Sequence, residues 1–315
     1  MPGGEWLASW LGEAVNWECD ELGHLNMRHY VGKAEEARRF LFIHLGLDHA
    51  FLRGAASGVR ARRIETCYLK EARPGARLSI RSGLTRLGEH DADVVHIMEH
   101  ADGARAATIA ETVEHVSRRT QETFAWPSRL REAASRVRVA PDDIGPRGLP
   151  TDLPVRAPGR DAVARMGAQR VGAGVFRADE ADVFGQVRPH ALQGRVSESV
   201  GNFRAGWPEA YDEGGLYDPH REGEARYSGV LLEMRVHLHA AAHPGRAYEV
   251  WSGLRGANAN VRTLVHHVVD PASGESYASM VATGAILDLH ERRLVKCDAT
   301  AVARLMEGAV PEITP

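Results

Sequence analysis

Asp20, Gly23, His24 and Asn26 are the residues of this chain whose types and spacing can act together chemically. A carboxylate can attack an electrophile or take a proton from water, and a nearby imidazole can orient or relay that proton. Gly23 admits a backbone conformation that a Cβ penalises, which suits a tight polar turn. A helical pattern starts directly after Asn26. The turn therefore delivers an acid and an imidazole to a helix start, where unpaired backbone N–H groups and the positive end of the helix dipole are available. Each residue also has an ordinary role to weigh against this. An Asp before a helix is commonly a cap or turn residue, an Asn commonly closes an Asx turn, and a lone His commonly packs.

The elements that must hold the turn are legible from periodicity. Tyr30, Ala34, Ala37, Leu41 and Leu45 recur every three to four residues and predict an amphipathic helix to about Leu45, with Lys33, Glu35, Arg38 and Arg39 on its polar remainder. Gly46 is placed as its C-cap. Glu13–Cys19 reads as the strand leading into the turn, and residues 1–12 as a short apolar lead-in. Strands are expected over Val59–Glu71, Ala76–Gly88, Ala92–His100 and Arg105–Ser117, separated by turn chemistry such as Arg73-Pro74-Gly75 and Ala101-Asp102-Gly103. That order predicts long antiparallel strands curling around one helix. Prolines 127, 141, 146, 150, 154 and 158 then mark a linker, with room for a short helix over Arg129–Val139.

The second half repeats the first. Pro74-Gly75 and Ser82-Gly83-Leu84 recur as Pro244-Gly245 and Ser252-Gly253-Leu254, 170 positions on (244 − 74), and His96 falls on His266. Asp20-x-x-Gly23 recurs as Asp182-x-x-Gly185, 162 positions on (182 − 20); Gly32 then meets Gly194, and Glu36 meets Glu198. The copies part where chemistry would sit, since His24 becomes Gln186 and Asn26 becomes Arg188. The expected division is 1–125 for the first domain, 126–162 for the linker and 163–315 for the second domain, with an aromatic insertion over 204–227.

A strand, Asp-x-x-Gly-His-x-Asn, three residues and Tyr, and then a long helix resembles the start of a hotdog-fold thioesterase. Asp20, Gly23, His24, Asn26 and Tyr30 carry the likeness, which lies nearest the 4-hydroxybenzoyl-CoA and acyl-ACP thioesterase branches. The resemblance implies an α+β chain of two tandem hotdog domains, each a curled antiparallel sheet around one central helix. It implies hydrolysis of a thioester, with Asp20 attacking or activating water. His24 would orient that water or protonate the leaving thiolate, and Asn26 would fix the turn or donate to the carbonyl. Gly194-x-x-Ser197-Glu198-Ser199 resembles the phenylacetate-pathway and Arthrobacter-type branch, where an acid on the central helix is catalytic, and this adds Glu198 to the catalytic candidates. Trp17, Gly23, Tyr30 and Glu36 are expected at the substrate.

Composition narrows the alternatives. The chain has 315 residues, a formal net charge of -3 and 26% charged residues, which argues against a dedicated nucleic-acid binder. Cys19, Cys67 and Cys297 form no CxxC pair, so neither a metal site nor a disulfide framework is expected. His237 and His239 share a strand face without a third ligand at convincing spacing. No apolar run suits a membrane span or a signal peptide, and a cytoplasmic setting is expected. No cofactor is expected. The partner is an acyl-CoA or, second, an acyl carrier protein thioester, with a homodimer of double-hotdog chains in view. An enoyl or 3-hydroxyacyl thioester hydratase and a non-catalytic acyl-thioester binder are the competing functions.

Overall fold

The computed structural model describes residues 4–52, 54–140, 144–150, 152–208 and 227–315. The chain divides into two units. One holds residues 1–146 with 179–191, and the other holds 147–178 with 192–315.

In the first unit the elements run β1 (Leu7–Glu13), α1 (Met27–His44), β2 (Ser57–Tyr68), β3 (Arg77–Leu87), β4 (Asp91–His100), β5 (Arg105–Ser117) and α2 (Ser128–Ala134). The strands form an antiparallel sheet in the order β1-β3-β4-β5-β2, and α1 packs against it. Tyr30, Val31, Ala34, Ala37, Leu41 and Phe42 bury the helix's apolar stripe. Gly46, at φ 87°, ends it with its N–H on the Ile43 carbonyl. The four strands predicted after the helix are present, with no end moved by more than three residues and Arg105–Ser117 unmoved.

Two expectations are corrected. The strand predicted at Glu13–Cys19 lies one element earlier, at Leu7–Glu13, and Asn16–Glu18 is a 3-10 turn. As the edge strand, β1 pairs only with β3 and leaves Leu11 84% exposed, so its apolar residues do not alternate as a core strand's would. The charged side of α1 is also not a solvated face, because Lys33, Glu35 and Arg38 are buried. Each is paired: Lys33 with Glu18, Arg38 with Glu111 and Glu35 with His190.

The second unit continues with α3 (Arg160–Arg165), β6 (Gln169–Val175), α4 (Pro189–Ser199), β7 (Tyr227–Leu238), β8 (Ala247–Ala257), β9 (Arg262–Val269), β10 (Ser276–Asp288), β11 (Arg293–Val295) and α5 (Ala299–Glu307). The first residues of α4 and the turn before it belong to the first unit. The strand order β6-β8-β9-β10-β7 repeats that of the first unit, and β11 pairs with β10. The irregularities repeat too. A bulge at Ala8/Trp10 recurs at Arg170/Gly172, and one at Leu84/Arg86 recurs at Leu254/Gly256. Bulges fix strand register and bend, so their recurrence marks two copies of one architecture more firmly than shared strand order alone. The chain is two tandem hotdog domains of the α+β class.

The Pro-rich segment is tied down where it is described. Glu233 accepts the backbone N–H groups of Arg147, Gly148 and Leu149 at 2.6–2.9 Å, and Leu149 enters the second unit's core. Its predicted helix is Ser128–Ala134, followed by a 3-10 turn at Ser135–Val137. Of the insertion expected over 204–227, residues 209–226 lie outside the described residues. Trp207 is buried, and the Arg262 guanidinium sits 4.6 Å from its ring centroid.

Candidate functional site

The first turn closes on itself before α1 begins. The Asp20 N–H donates to the His24 carbonyl at 3.0 Å, and the Gly23 N–H donates to the Asp20 carbonyl at 3.0 Å, with Gly23 at φ 74°. This short loop brings three of the expected site residues together. The Leu22 N–H donates to Asp20 Oδ1 at 3.1 Å, His24 Nδ1 lies 3.4 Å from the same oxygen, and Asn26 Nδ2 reaches Oδ2 at 3.4 Å. Asn26 is also the N-cap of α1, accepting the Arg28 N–H at 3.2 Å. The Asp20 and His24 side chains are each 15% exposed. Burial pushes the Asp20 carboxyl above its ordinary value, while the His24 ring pulls the other way. Asp20 is thus a carboxylate made more basic by desolvation, with its Oδ2 3.4 Å from the Asn26 amide nitrogen.

The other expected residues are placed differently. Tyr30 is buried edge-on against Tyr68, with centroids 5.2 Å apart. Trp17 is 83% exposed. Glu36 is exposed on α1 and accepts the Trp10 indole N–H at 3.0 Å. Glu198 is 49% exposed and paired with Arg195 at 2.6 Å. Glu36 and Glu198 thus each have a side-chain partner on their own element or beside it. Arg60 and Arg62 pair with Glu114, and His239 Nε2 lies 2.9 Å from Ser279 Oγ.

Sequence reasoning missed a second polar cluster in the same unit. Residues 179–191 lie against it through several contacts. The Arg118 guanidinium stacks 4.5 Å from the Phe184 ring, Gln186 Nε2 donates to Gln121 Oε1 at 3.2 Å, and the His190 ring lies over Gly32. Glu35 Oε1 accepts the His190 backbone N–H at 3.1 Å, and Oε2 lies 3.1 Å from His190 Nδ1. Burial would raise the Glu35 carboxyl, but the His190 ring and N–H, with Arg38 behind them, hold it down at about 2. Arg38 Nη1 reaches both oxygens of Glu111 at 2.8 Å. Glu111 Oε2 lies 3.5 Å from His96 Nε2, and His96 Nδ1 lies 2.6 Å from Ser82 Oγ. Ser82 then meets Ser9 at 2.6 Å. The signal that could have found this cluster was Gly32 matching Gly194. A small residue retained in both helices marks a face approached closely, and Glu35 lies three residues along that face.

Residues 15–134 match the thioesterase-like superfamily. Over 116 residues the chain is 30% identical to an L-carnitine dehydrogenase/betainyl-CoA thioesterase of Agrobacterium fabrum, a match that covers 36% of this chain and 23% of that protein. Among solved structures, an acyl-ACP thioesterase from Bacteroides thetaiotaomicron aligns with TM-score 0.64 at 12% identity, over 87% of this chain and 96% of that one. A 12:0-ACP thioesterase from Umbellularia californica aligns with TM-score 0.63 at 10% identity, over 87% and 92%. At those identities the structures speak for the fold, and the family pattern speaks for the stretch that carries the Asp20 turn. Residues 15–134 thus carry a thioesterase-like pattern, and the solved structures share the fold over most of the chain.

Proposed function

We propose that the protein hydrolyses an acyl thioester, of coenzyme A or of an acyl carrier protein, to a free acid and a thiol. The observation that carries this is the Asp20 carboxylate: desolvated, raised in basicity and held by His24 and Asn26 one turn before a long helix. In the base route Asp20 takes a proton from water as the water oxygen bonds to the thioester carbon. The C–S bond then breaks with its electron pair on sulfur, and the proton passes to the thiolate. In the nucleophile route an Asp20 oxygen bonds to the carbon itself, the C–S bond breaks with its electron pair on sulfur, and water then cleaves the resulting anhydride, restoring Asp20 and supplying the thiolate's proton. Both routes place negative charge on the carbonyl oxygen, where the N-terminal end of α1 is favourable. The thioesterase names of the family and relatives support this reaction class.

Free thiol released from short, long, aromatic and polar acyl-CoAs, and from an acyl carrier protein thioester, tests the proposal. Wild type should release thiol from at least one of them, and Asp20→Asn should lose that activity while remaining folded. Label found on Asp20 after a single turnover in oxygen-18 water identifies the nucleophile route, with water attacking the Asp20 side of the anhydride. An Asp20→Asn variant as active as wild type would remove Asp20 from the mechanism.

A further inference from the structure

Glu35 and His190 form an acid–imidazole pair that the Asp20 turn does not use. Glu35 is 2% exposed, and a carboxylate so placed is costly unless it is paired and hydrogen-bonded. The fold does not demand the pair. At the equivalent positions of the other copy, 162 residues away, Arg28 stands for His190 and Ser197 for Glu35. A duplicated architecture that manages once without a buried acid keeps one in a single copy only, beside a ring.

The geometry also orients that ring. An ionised carboxylate accepts and does not donate, so the 3.1 Å contact between Glu35 Oε2 and His190 Nδ1 places the ring proton on Nδ1. In its neutral form the ring carries its lone pair on Nε2, which has no hydrogen bond among the described residues. The His190 side chain is 15% exposed, so water can reach it. Behind Glu35, Arg38 is anchored on both oxygens of Glu111, which keeps a positive charge beside the acid. An acid that fixes a tautomer from the buried side and a bare nitrogen on the open side are the parts of a general base.

We propose that His190 is a further general acid–base residue for thioester hydrolysis, with Glu35 as the positioning residue that fixes its tautomer; this rests on the hydrolase reading above. The step belongs to the nucleophile route: once the thiolate has left and the acyl group is held on Asp20 as an anhydride, His190 Nε2 accepts a proton from the water whose oxygen bonds to an anhydride carbon. The C–O bond breaks, restoring the Asp20 carboxylate and releasing the acid, and the imidazolium returns the proton to the thiolate, so the ring ends as it began.

The test compares wild type, Asp20→Asn, His190→Gln and Glu35→Gln in the full chain. Thiol release from the best substrate of the panel is followed together with the nitrogen-15 spectrum of the histidine rings. His190→Gln should lower kcat at least about tenfold with KM changed less than about threefold, in line with the loss of an acid–base group. Glu35→Gln should lower kcat by a smaller factor. In wild type the His190 signals should report a protonated Nδ1 and a bare Nε2, and in Glu35→Gln a mixture of tautomers. If Asp20→Asn is inactive and His190→Gln keeps the wild-type kcat, the proposal falls and the hydrolase reading stands. If wild type releases no thiol from any substrate, the hydrolase reading falls and takes this proposal with it. The tautomer is read on unsubstituted protein and needs no variant to fold, and an Nε2-protonated ring there overturns the role given to Glu35.

Discussion

Asp20 and Asp182 occupy turns that are copies of one another in backbone. Each Asp N–H donates to the residue four on, each Gly N–H donates to its Asp carbonyl, and each glycine has a positive φ, 74° at Gly23 and 77° at Gly185. Short bridges close both turns, Cys19 with Leu25 and Ala181 with Val187. Burial raises both carboxyls. What differs is the company. Asp20 faces an imidazole and an amide. Oδ1 of each accepts the N–H two residues on, Leu22 or Phe184, but that of Asp182 also accepts the Gln186 N–H, and an arginine stands where Asn26 would be. Backbone geometry alone therefore does not make a site, and the neighbours of the carboxylate decide what it can do.

The largest effect should come from treating the two acids alike. Asp20→Asn should lower kcat by about a hundredfold or more, the scale of a lost general base or nucleophile, and Asp182→Asn should lower it far less. Thiol-release kinetics on both variants decide the matter. Equal losses would mean that the second turn is as much a reaction centre as the first.

A second comparison concerns the buried network. Both copies keep the serine–histidine pair, Ser82 with His96 at 2.6 Å and Ser252 with His266 at 2.7 Å. Only the first continues it. By strand register Ala282 stands where Glu111 does, and Val200 stands where Arg38 does. Glu111→Ala alone takes the hydrogen-bonded carboxylate from a buried guanidinium and should destabilise the protein by about 3–5 kcal/mol. Arg38→Val with Glu111→Ala copies the second domain and should recover much of that loss, because no charge is then left without its partner. Urea unfolding of the single and double variants is the check. A double variant as unstable as the single one would show that the ion pair itself holds α1 in place.

Without a facing carboxylate, His266 is a buried neutral ring whose pKa burial lowers to about 3. Its unfolded value is near 6.5, so below that pH the unfolded chain binds a proton that the folded one refuses. The stability this ring contributes is whole above pH 6.5 and drains as pH falls toward 3. His266→Gln should flatten the fall of stability across that window by an amount on the order of a few kcal/mol. A variant with the same slope as wild type would place the acid sensitivity elsewhere.

How much of this was legible in the sequence follows from which interactions are local. The turn, the helix after it, the four strands and the doubling were readable, because turn residues, periodicity and repeats act over a few positions or recur as text. Glu35 was not. Helical periodicity sorts residues into apolar and polar faces and places Glu35 with the solvated ones, whereas its burial depends on His190, 155 residues away. The same holds for Arg38 and Glu111, 73 residues apart. The exposure of Trp17 was equally illegible. An aromatic residue beside a catalytic motif reads as a pocket wall, yet a 3-10 turn carries it out to 83% exposure.

The smallest effect separates two duties of Asn26. Its Oδ1 caps α1 through the Arg28 N–H, and its Nδ2 reaches Asp20. Asn26→Ala removes both and should cost about 1 kcal/mol of stability, the usual worth of an N-cap. Asn26→Ser keeps an oxygen that can cap the helix but cannot reach Asp20 as the longer amide does, so stability should stay near wild type. If the serine variant is as stable as wild type yet slowed as much as the alanine variant, Asn26 acts through Asp20. If its rate returns with its stability, the amide is a cap alone, and Arg188 in the second copy marks a lost cap and not a lost site.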